Sequence, residues 1–272
     1  SALKAGGEGS MPLSGGQSLI PILKLRLASP ESLIDLARIP GLRRINADED
    51  PISIGALTTH AMIEDSAALR EVCPLLPEVA SGIGDQQVRN RGTIGGSLAH
   101  ADPAADWPAA ILALDAELIA ASLGKKRSIR ATEFFRGLMT TALAPGELLV
   151  EIRIRRAPAG GAAYQKVRQS ASGFAIAGVA ASLEFGPDRI CKRASIGITG
   201  VAGRAFRAAA AEKAIQGQRL DERTIAEASA HAVDGVSDPL SDLHASGEYR
   251  LHLARVHCAR ALRRAAGLAA RP

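Results

Sequence analysis

Two five-residue segments constrain this chain most tightly: "SGGQS" at Ser14–Ser18 and "TIGGS" at Thr93–Ser97. Each joins a Gly-Gly pair to small hydroxyl side chains. Glycine reaches backbone conformations closed to other residues and lets N–H groups approach a ligand closely. Free N–H groups in sequence form an anion-binding concavity, and Ser or Thr adds donors with little bulk. An ordinary turn also uses Gly-Gly. Two such pairs in the first hundred residues, one leading straight into a helix, point to a diphosphate ligand.

The rest of the chain mixes short strands and helices. Residues 12–27 read as strand end, glycine turn and helix, with Pro21 in an early turn and Ile20, Leu23, Leu25 and Leu27 as the apolar positions. Residues 32–36 and 51–57 read as strands. Residues 58–69 read as a helix opened by a Thr cap, and 74–83 as another. The polar stretch "GDQQVRNRG" follows, ahead of the second glycine segment. Pro103 is expected to open a helix that runs to Asp115, and strands follow near 117–122, 126–131 and 148–155. "APAGGA" (157–162) reads as a linker. Beyond it, 162–169, 174–185 and 190–200 pattern as strands, and 204–216, 221–236 and 246–266 as helices. Strands followed by helices indicate a small α+β C-terminal domain.

The 272 residues are enough for two domains, and 47% are hydrophobic, much of it alanine and leucine. No apolar run is long enough to span a membrane and no signal segment opens the chain, so a soluble cytoplasmic protein is expected. The first residue is serine, which suggests a processed or truncated start. The net charge of +5 is scattered, and one Trp, two Tyr and five Phe give little for bases to stack on. A solvated basic face, or one that meets an acidic partner subunit, is expected rather than nucleic-acid binding. Cys73, Cys191 and Cys258 form no CxxC pair, which argues against zinc or an iron–sulfur cluster and for reduced, partly buried thiols. There is no Gly-x-Gly-x-x-Gly after a strand, no P-loop and no His-Glu-x-x-His. His252 and His257 read as helix-surface residues.

Three stretches, "LSGGQSLIPILKLRLASPESLIDLARIPGLRRI", "ISIGALTTHAMIEDS" and "VRNRGTIGGSLAHADPAADWPAAILAL", closely resemble the FAD-binding medium subunits of molybdenum hydroxylases. This family includes those of carbon monoxide dehydrogenase, xanthine dehydrogenase and aldehyde or N-heterocycle oxidoreductases. "GELLVEIRI", "AAYQKVRQSASGFAIAGVAASLEF" and "DLHASGEYRLHLARVHCARAL" extend the resemblance over nearly the whole chain. It implies an α+β protein: a two-subdomain FAD-binding domain of the vanillyl-alcohol-oxidase/PCMH type at 1–160 (subdomains about 1–50 and 51–160), then a C-terminal domain of three strands and three helices at 161–272. The family also has a short segment before the helix ending at "ALKAGGEG"; its lack here is expected to bear on the first strand, not on the cofactor.

The resemblance further implies non-covalent FAD with its diphosphate between two loops, one of Leu13, Ser14, Gly15, Gly16, Gln17, Ser18 and Leu19 and one of Thr93, Ile94, Gly95, Gly96 and Ser97. Asp106 and Lys166 match polar cofactor contacts, and Ile83 and Leu149 apolar ones. Read without it, Asp106 suits a helix start, Leu149 a strand core and Lys166 a solvated surface. His100 is either a flavin contact or a turn residue. No nucleophile–base pair is visible. A large subunit with the molybdenum cofactor and a small subunit with two [2Fe–2S] clusters are implied as partners in a dimer of heterotrimers, the medium subunit passing electrons through FAD to an external acceptor. Three dispersed cysteines do not suit the 4-hydroxybenzoyl-CoA reductase variant with its extra four-cysteine cluster. A stand-alone FAD oxidoreductase and a non-catalytic scaffold are the alternatives.

Overall fold

Alternation along β-strands places Ile52 and Ile54, Leu118 and Ala120, and Ile152 and Ile154 on one face of a sheet, all buried. Register brings them together, with Ile52 opposite Ile154, and Ile54 and Leu118 on either side of Ile152. In the computed structural model, which describes residues 7–156 and 160–268, these strands form a five-stranded antiparallel sheet. Its order is β3 (Ile45–Asn46), β4 (Ile52–Gly55), β9 (Leu148–Ile154), β5 (Glu117–Ser122) and β6 (Lys125–Arg130). Residues of α2 (His60–Glu64), α3 (Ala67–Val72), α4 (Leu75–Ser81), α6 (Ile94–His100) and α7 (Trp107–Ala113) share one hydrophobic core with it.

Ahead of this sheet, β1 (Ser10–Leu13) and β2 (Ser32–Asp35) pair in parallel, which requires a crossover between them. The crossover contains the first glycine segment and α1 (Leu19–Lys24). After the hairpin β7 (Phe135–Gly137) and β8 (Thr140–Thr141), a second antiparallel sheet runs β10 (Gly160–Arg168), β11 (Ala175–Phe185), β12 (Cys191–Thr199), β13 (Phe206–Arg207). Ala177, Val179, Ala181 and Leu183 of β11 join a second core with α9 (Ala209–Ile215), α10 (Glu222–Ala230) and α11 (Gly247–Ala265). Ala180 and Tyr164, on the opposite face, join the first core. The central strand is therefore buried on both faces, and its apolar run has that cause. A Cβ at Gly197 would collide with the Ala109 carbonyl, so α7 presses directly on β12.

Several sequence expectations shift. The single helix over 58–69 is two, because Ser66 accepts from the Leu69 amide and caps a new start. "GDQQVRNRG" contains α5 (Gln86–Arg91), capped by Asp85. The helix expected from Pro103 starts only at Trp107, since the carbonyls of Pro103, Ala104 and Ala105 accept from Thr199, Gly200 and Ala175 of the second sheet region. The helix expected from Arg204 starts at Ala209, and Phe206–Arg207 add a fourth short strand. Leu25 and Leu27 lie beyond α1 and are exposed rather than packed. His257 is buried, not a surface residue, while His252 is exposed. Of the expected linker, 157–159 lie outside the described residues, as do residues 1–6; Gly160 already belongs to β10.

Arg250 of α11 is 4% exposed and ties the second sheet's loops together. Its guanidinium donates to the carbonyls of Ile176 and Gly200, each at 2.7 Å, and to Asp242 at 2.7 Å. Replacing Arg250 with Met leaves the Ile176 and Gly200 carbonyls without their donor and Asp242 without its ion-pair partner, with an expected loss of about 2–4 kcal/mol. Urea denaturation measures it, and a loss under about 1 kcal/mol would count against the clamp.

Candidate functional site

A cavity of about 490 Å³ lies among the β1–α1 turn, the start of α6, the Ala56–Leu57 turn, Ile83–Gly84, Leu148–Leu149 and the β10–β11 turn. That volume falls within the roughly 300–1,000 Å³ of cofactor clefts. Every residue expected at the site lines it except Leu13, Ile94 and Lys166. Leu13 faces a smaller recess on the far side of the glycine turn, and Ile94 is fully buried in the first core.

The two glycine segments do different work. In the first, Gly16 has φ +77°, and a Cβ on Gly15 would collide with the Arg91 carbonyl. The turn is thereby pressed against Arg91–Gly92. The amides of Gly15 to Leu19 donate to no acceptor among the described residues, so this segment offers open donors at the cavity wall. The second segment is a capped helix start rather than a loop. Thr93 Oγ1 accepts from the Gly96 amide at 3.0 Å. The amides of Ile94, Gly95 and Ser97 donate to the carbonyls of Thr58, Ala56 and Thr93. Gly95 is glycine for packing, since a Cβ there would strike Ala56. Thr93, Gly95, Gly96 and Ser97 of this segment line the cavity, and the Thr93 hydroxyl pairs with that of Ser14 at 2.7 Å.

Asp106 stands at the N-terminal end of α7, yet its side chain does not cap the helix. The Tyr164 hydroxyl donates to its Oδ1 at 2.5 Å, and Lys166 Nζ donates to Oδ1 at 2.8 Å and Oδ2 at 3.0 Å. Lys166 Nζ also donates to the carbonyls of Gly82 and Gly173, both at 2.8 Å. The lysine is thus spent on holding three walls of the cavity and does not face it. Burial pushes the Asp106 carboxyl above the ordinary carboxylate range, with Lys166 and Tyr164 pulling against it. Burial, with Asp106 beside it, drives the Tyr164 hydroxyl well above its ordinary range.

His60, Ser172, Gly173 and Phe174 also line the cavity and were not singled out from sequence. His60 is identifiable only through a contact 47 residues away: Trp107 Nε1–H donates to its Nδ1 at 3.1 Å. Burial, reinforced by Arg89, pulls the imidazole down to about 4. Phe174 read as the first residue of a strand. His100 lines the cavity as well. The three cysteines are free and buried, their thiols pushed up by burial to about 12 at Cys73 and Cys258 and about 11 at Cys191. Among the described residues no group of His, Cys, Asp or Glu is placed to hold a metal, and no helix is long and apolar enough to cross a membrane.

Lys166→Met leaves Asp106 buried with Tyr164 alone, and an unpaired buried carboxylate is disfavoured by about 3–5 kcal/mol. A carboxyl whose folded pKa is raised binds protons more tightly when folded, so stability falls as pH climbs from the unfolded value through the folded one. The variant is expected to lose far more stability at pH 8 than at pH 5, and Asp106→Asn in the same chain should remove that pH dependence. Equal losses at both pH values, by chemical denaturation, would contradict the ion-pair account.

Comparison with known proteins bears on the same residues. The family pattern described as "FAD binding domain in molybdopterin dehydrogenase" matches residues 1–156, and "CO dehydrogenase flavoprotein C-terminal domain" matches 162–265. The 6-hydroxypseudooxynicotine dehydrogenase complex subunit alpha of Paenarthrobacter nicotinovorans is 39% identical over 97% of this chain and 89% of its own length. The carbon monoxide dehydrogenase medium chain of Afipia carboxidovorans is 39% identical over 95% and 90%. Among solved structures, carbon monoxide dehydrogenase from Hydrogenophaga pseudoflava superposes with a TM-score of 0.93 at 38% identity, covering 98% of this chain and 92% of that one. Quinoline 2-oxidoreductase from Pseudomonas putida 86 does so at 0.90 and 35%, with coverage of 98% and 92%. The chain belongs to the FAD-binding flavoprotein family of the molybdopterin dehydrogenases, of the carbon monoxide dehydrogenase type.

Proposed function

We propose that this chain is the FAD-carrying electron-transfer subunit of a cytoplasmic molybdenum hydroxylase complex. It would receive electrons from the [2Fe–2S] clusters of a small subunit and deliver them to an external acceptor, while a large subunit with the molybdenum cofactor oxidises the substrate. A dimer of such heterotrimers is the expected assembly. The FAD-binding region is assigned to residues 1–160, with subdomains at about 1–50 and 51–160, and the C-terminal domain to 161–272.

One observation carries the cofactor assignment: the row of open amides at Gly15–Leu19 on the wall of a cavity that also has an apolar stretch of lining. Anionic oxygens satisfy such donors, and the Ser14, Thr93 and Ser97 hydroxyls stand beside them to accept or donate. Ile83, Leu57, Leu143, Leu148 and Leu149 supply an apolar wall suited to a flat ring system, and Asp106 a fixed polar group. The donor set fits a dinucleotide. Bound FAD supplies the redox chemistry, accepting one or two electrons. The residues named here bind it, orient it and exclude water. The names of the relatives, a complex subunit alpha and a medium chain, support assembly with other chains.

If the amides hold the diphosphate, Gly16→Val should empty the site. The side chain forces a φ of +77° on a branched residue and meets Ile20 Cγ1 at about the 3.0 Å found for a Cβ. Flavin content after reconstitution is expected to fall at least tenfold with circular dichroism preserved; full occupancy would contradict the assignment. In the unaltered protein, acid precipitation should release all flavin to the supernatant, whereas colour left in the pellet would mean covalent attachment.

The assembly is tested by co-expression with the neighbouring large and small subunits, followed by size-exclusion chromatography and metal analysis. A complex containing molybdenum, iron and FAD is expected. A monomeric flavoprotein that turns over an organic substrate unaided would favour the stand-alone oxidoreductase.

A further inference from the structure

We propose that His60 is a fixed hydrogen-bond donor to the diphosphate of the bound dinucleotide, its Nε2–H aimed past Gly92 toward the open amides of the first glycine turn. The inference rests on the FAD reading above.

Three observations carry it. The indole N–H of Trp107 can only donate, so His60 Nδ1 is an acceptor and the neutral ring bears its proton on Nε2. Trp107 is the only side-chain hydrogen-bond partner of the imidazole among the described residues, although His60 is only 4% exposed. What remains accessible of it opens on the cavity. An N–H that opens on a cavity without a protein acceptor is completed by whatever occupies the cavity, ligand or water.

Position decides what that ligand group is. The His60 amide donates to the Gly92 carbonyl at 3.0 Å, locking the two residues together. A Cβ on Gly92 would lie 2.7 Å from His60 Nε2, so the space in front of the N–H exists because residue 92 lacks a side chain. The same Gly92 abuts the first turn: a Cβ on Gly15 would fall 2.8 Å from its Cα. Gly92 thus adjoins both the imidazole edge and the first glycine turn. The Trp107 bond fixes ring orientation and tautomer together, and burial keeps the ring neutral. Such a donor recognises anionic oxygen without placing a second full charge in the cavity.

His60→Phe keeps the ring volume and removes the donor. The full-length chain, stripped of flavin, is titrated by fluorescence with FAD, with ADP and with riboflavin, which lacks phosphate. The variant is expected to bind FAD and ADP about tenfold or more weakly, as for a lost hydrogen bond to a charged group, with riboflavin affinity unchanged. Unchanged FAD affinity, or equal weakening toward riboflavin, overturns the inference while leaving the FAD reading intact. An unaltered chain that binds neither FAD nor ADP overturns both. Should the variant not fold, 15N-labelled histidine in the unaltered chain gives the answer. Saturation with ADP is expected to shift the His60 Nε2–H resonance and slow its exchange with water, and an unmoved resonance overturns the inference.

Discussion

The ion pair of Lys166 with Asp106 fixes the relation among the parts of this protein. Its two side chains are 9% and 4% exposed, deep enough that each charge would be prohibitive alone. Pairing is not the whole compensation, because the ammonium also reaches the carbonyls of Gly82 and Gly173, and the carboxylate also accepts from Tyr164. Asp106 comes from the start of α7, Gly82 from the end of α4, and Lys166, Tyr164 and Gly173 from the second sheet and its turn. A buried ion set this fully coordinated has one low-energy arrangement. It therefore sets where Ile83 and Phe174 stand around the cavity, as well as contributing stability. Arg264 repeats the logic at the periphery, donating to Glu78 at 2.7 Å and to the Tyr164 carbonyl.

Close backbone approach is the second constraint. Gly15 against Arg91, Gly95 against Ala56 and Gly197 against Ala109 are three places where a methyl group would separate two elements. Of these, Gly15 and Gly95 sit in motifs that suggest ligand binding, and both are glycine for reasons of packing. The conformational demand falls on Gly16. A Gly-Gly pair near a cofactor thus combines two separable requirements, one for a neighbour and one for a backbone turn.

This separation explains what was legible in the sequence. The strands around Ile52–Ile54, Leu118–Ala120 and Ile152–Ile154 alternate with a period of two, and β11 is a continuous apolar run, so these longer strands could be read directly, while the two-residue strands Ile45–Asn46 and Phe206–Arg207 could not. The glycine segments could be located but not told apart, because whether an amide is open or spent depends on carbonyls distant in the chain, such as those of Thr58 and Ala56. Lys166 was legible as a site residue only by resemblance, and its four acceptors come from three separate segments. His60 and Phe174 were not legible, since their roles depend on Trp107 and on the β10–β11 turn. The late start of α7 has the same origin: Pro103 would begin a helix, but the carbonyls that follow it are claimed by Thr199, Gly200 and Ala175.

The region that presents the open amides is sparsely packed. None of the residues in α1 is buried, and six residues are too few for a helix to persist in water on its own propensity. Its position depends on the parallel pairing of β1 with β2, on the contact of Gly15 with Arg91–Gly92 and on the Ser14–Thr93 hydroxyl pair. A ligand that accepts from Gly15–Leu19 adds a further restraint, and by mass action its binding free energy adds to the stability of this arrangement. Cofactor affinity and order of the first crossover are then one quantity seen from two sides. The walls tied by Lys166 are held by an ion pair and carbonyl contacts within the protein, while the first glycine turn is held by fewer contacts, to which an occupant accepting from its amides would add.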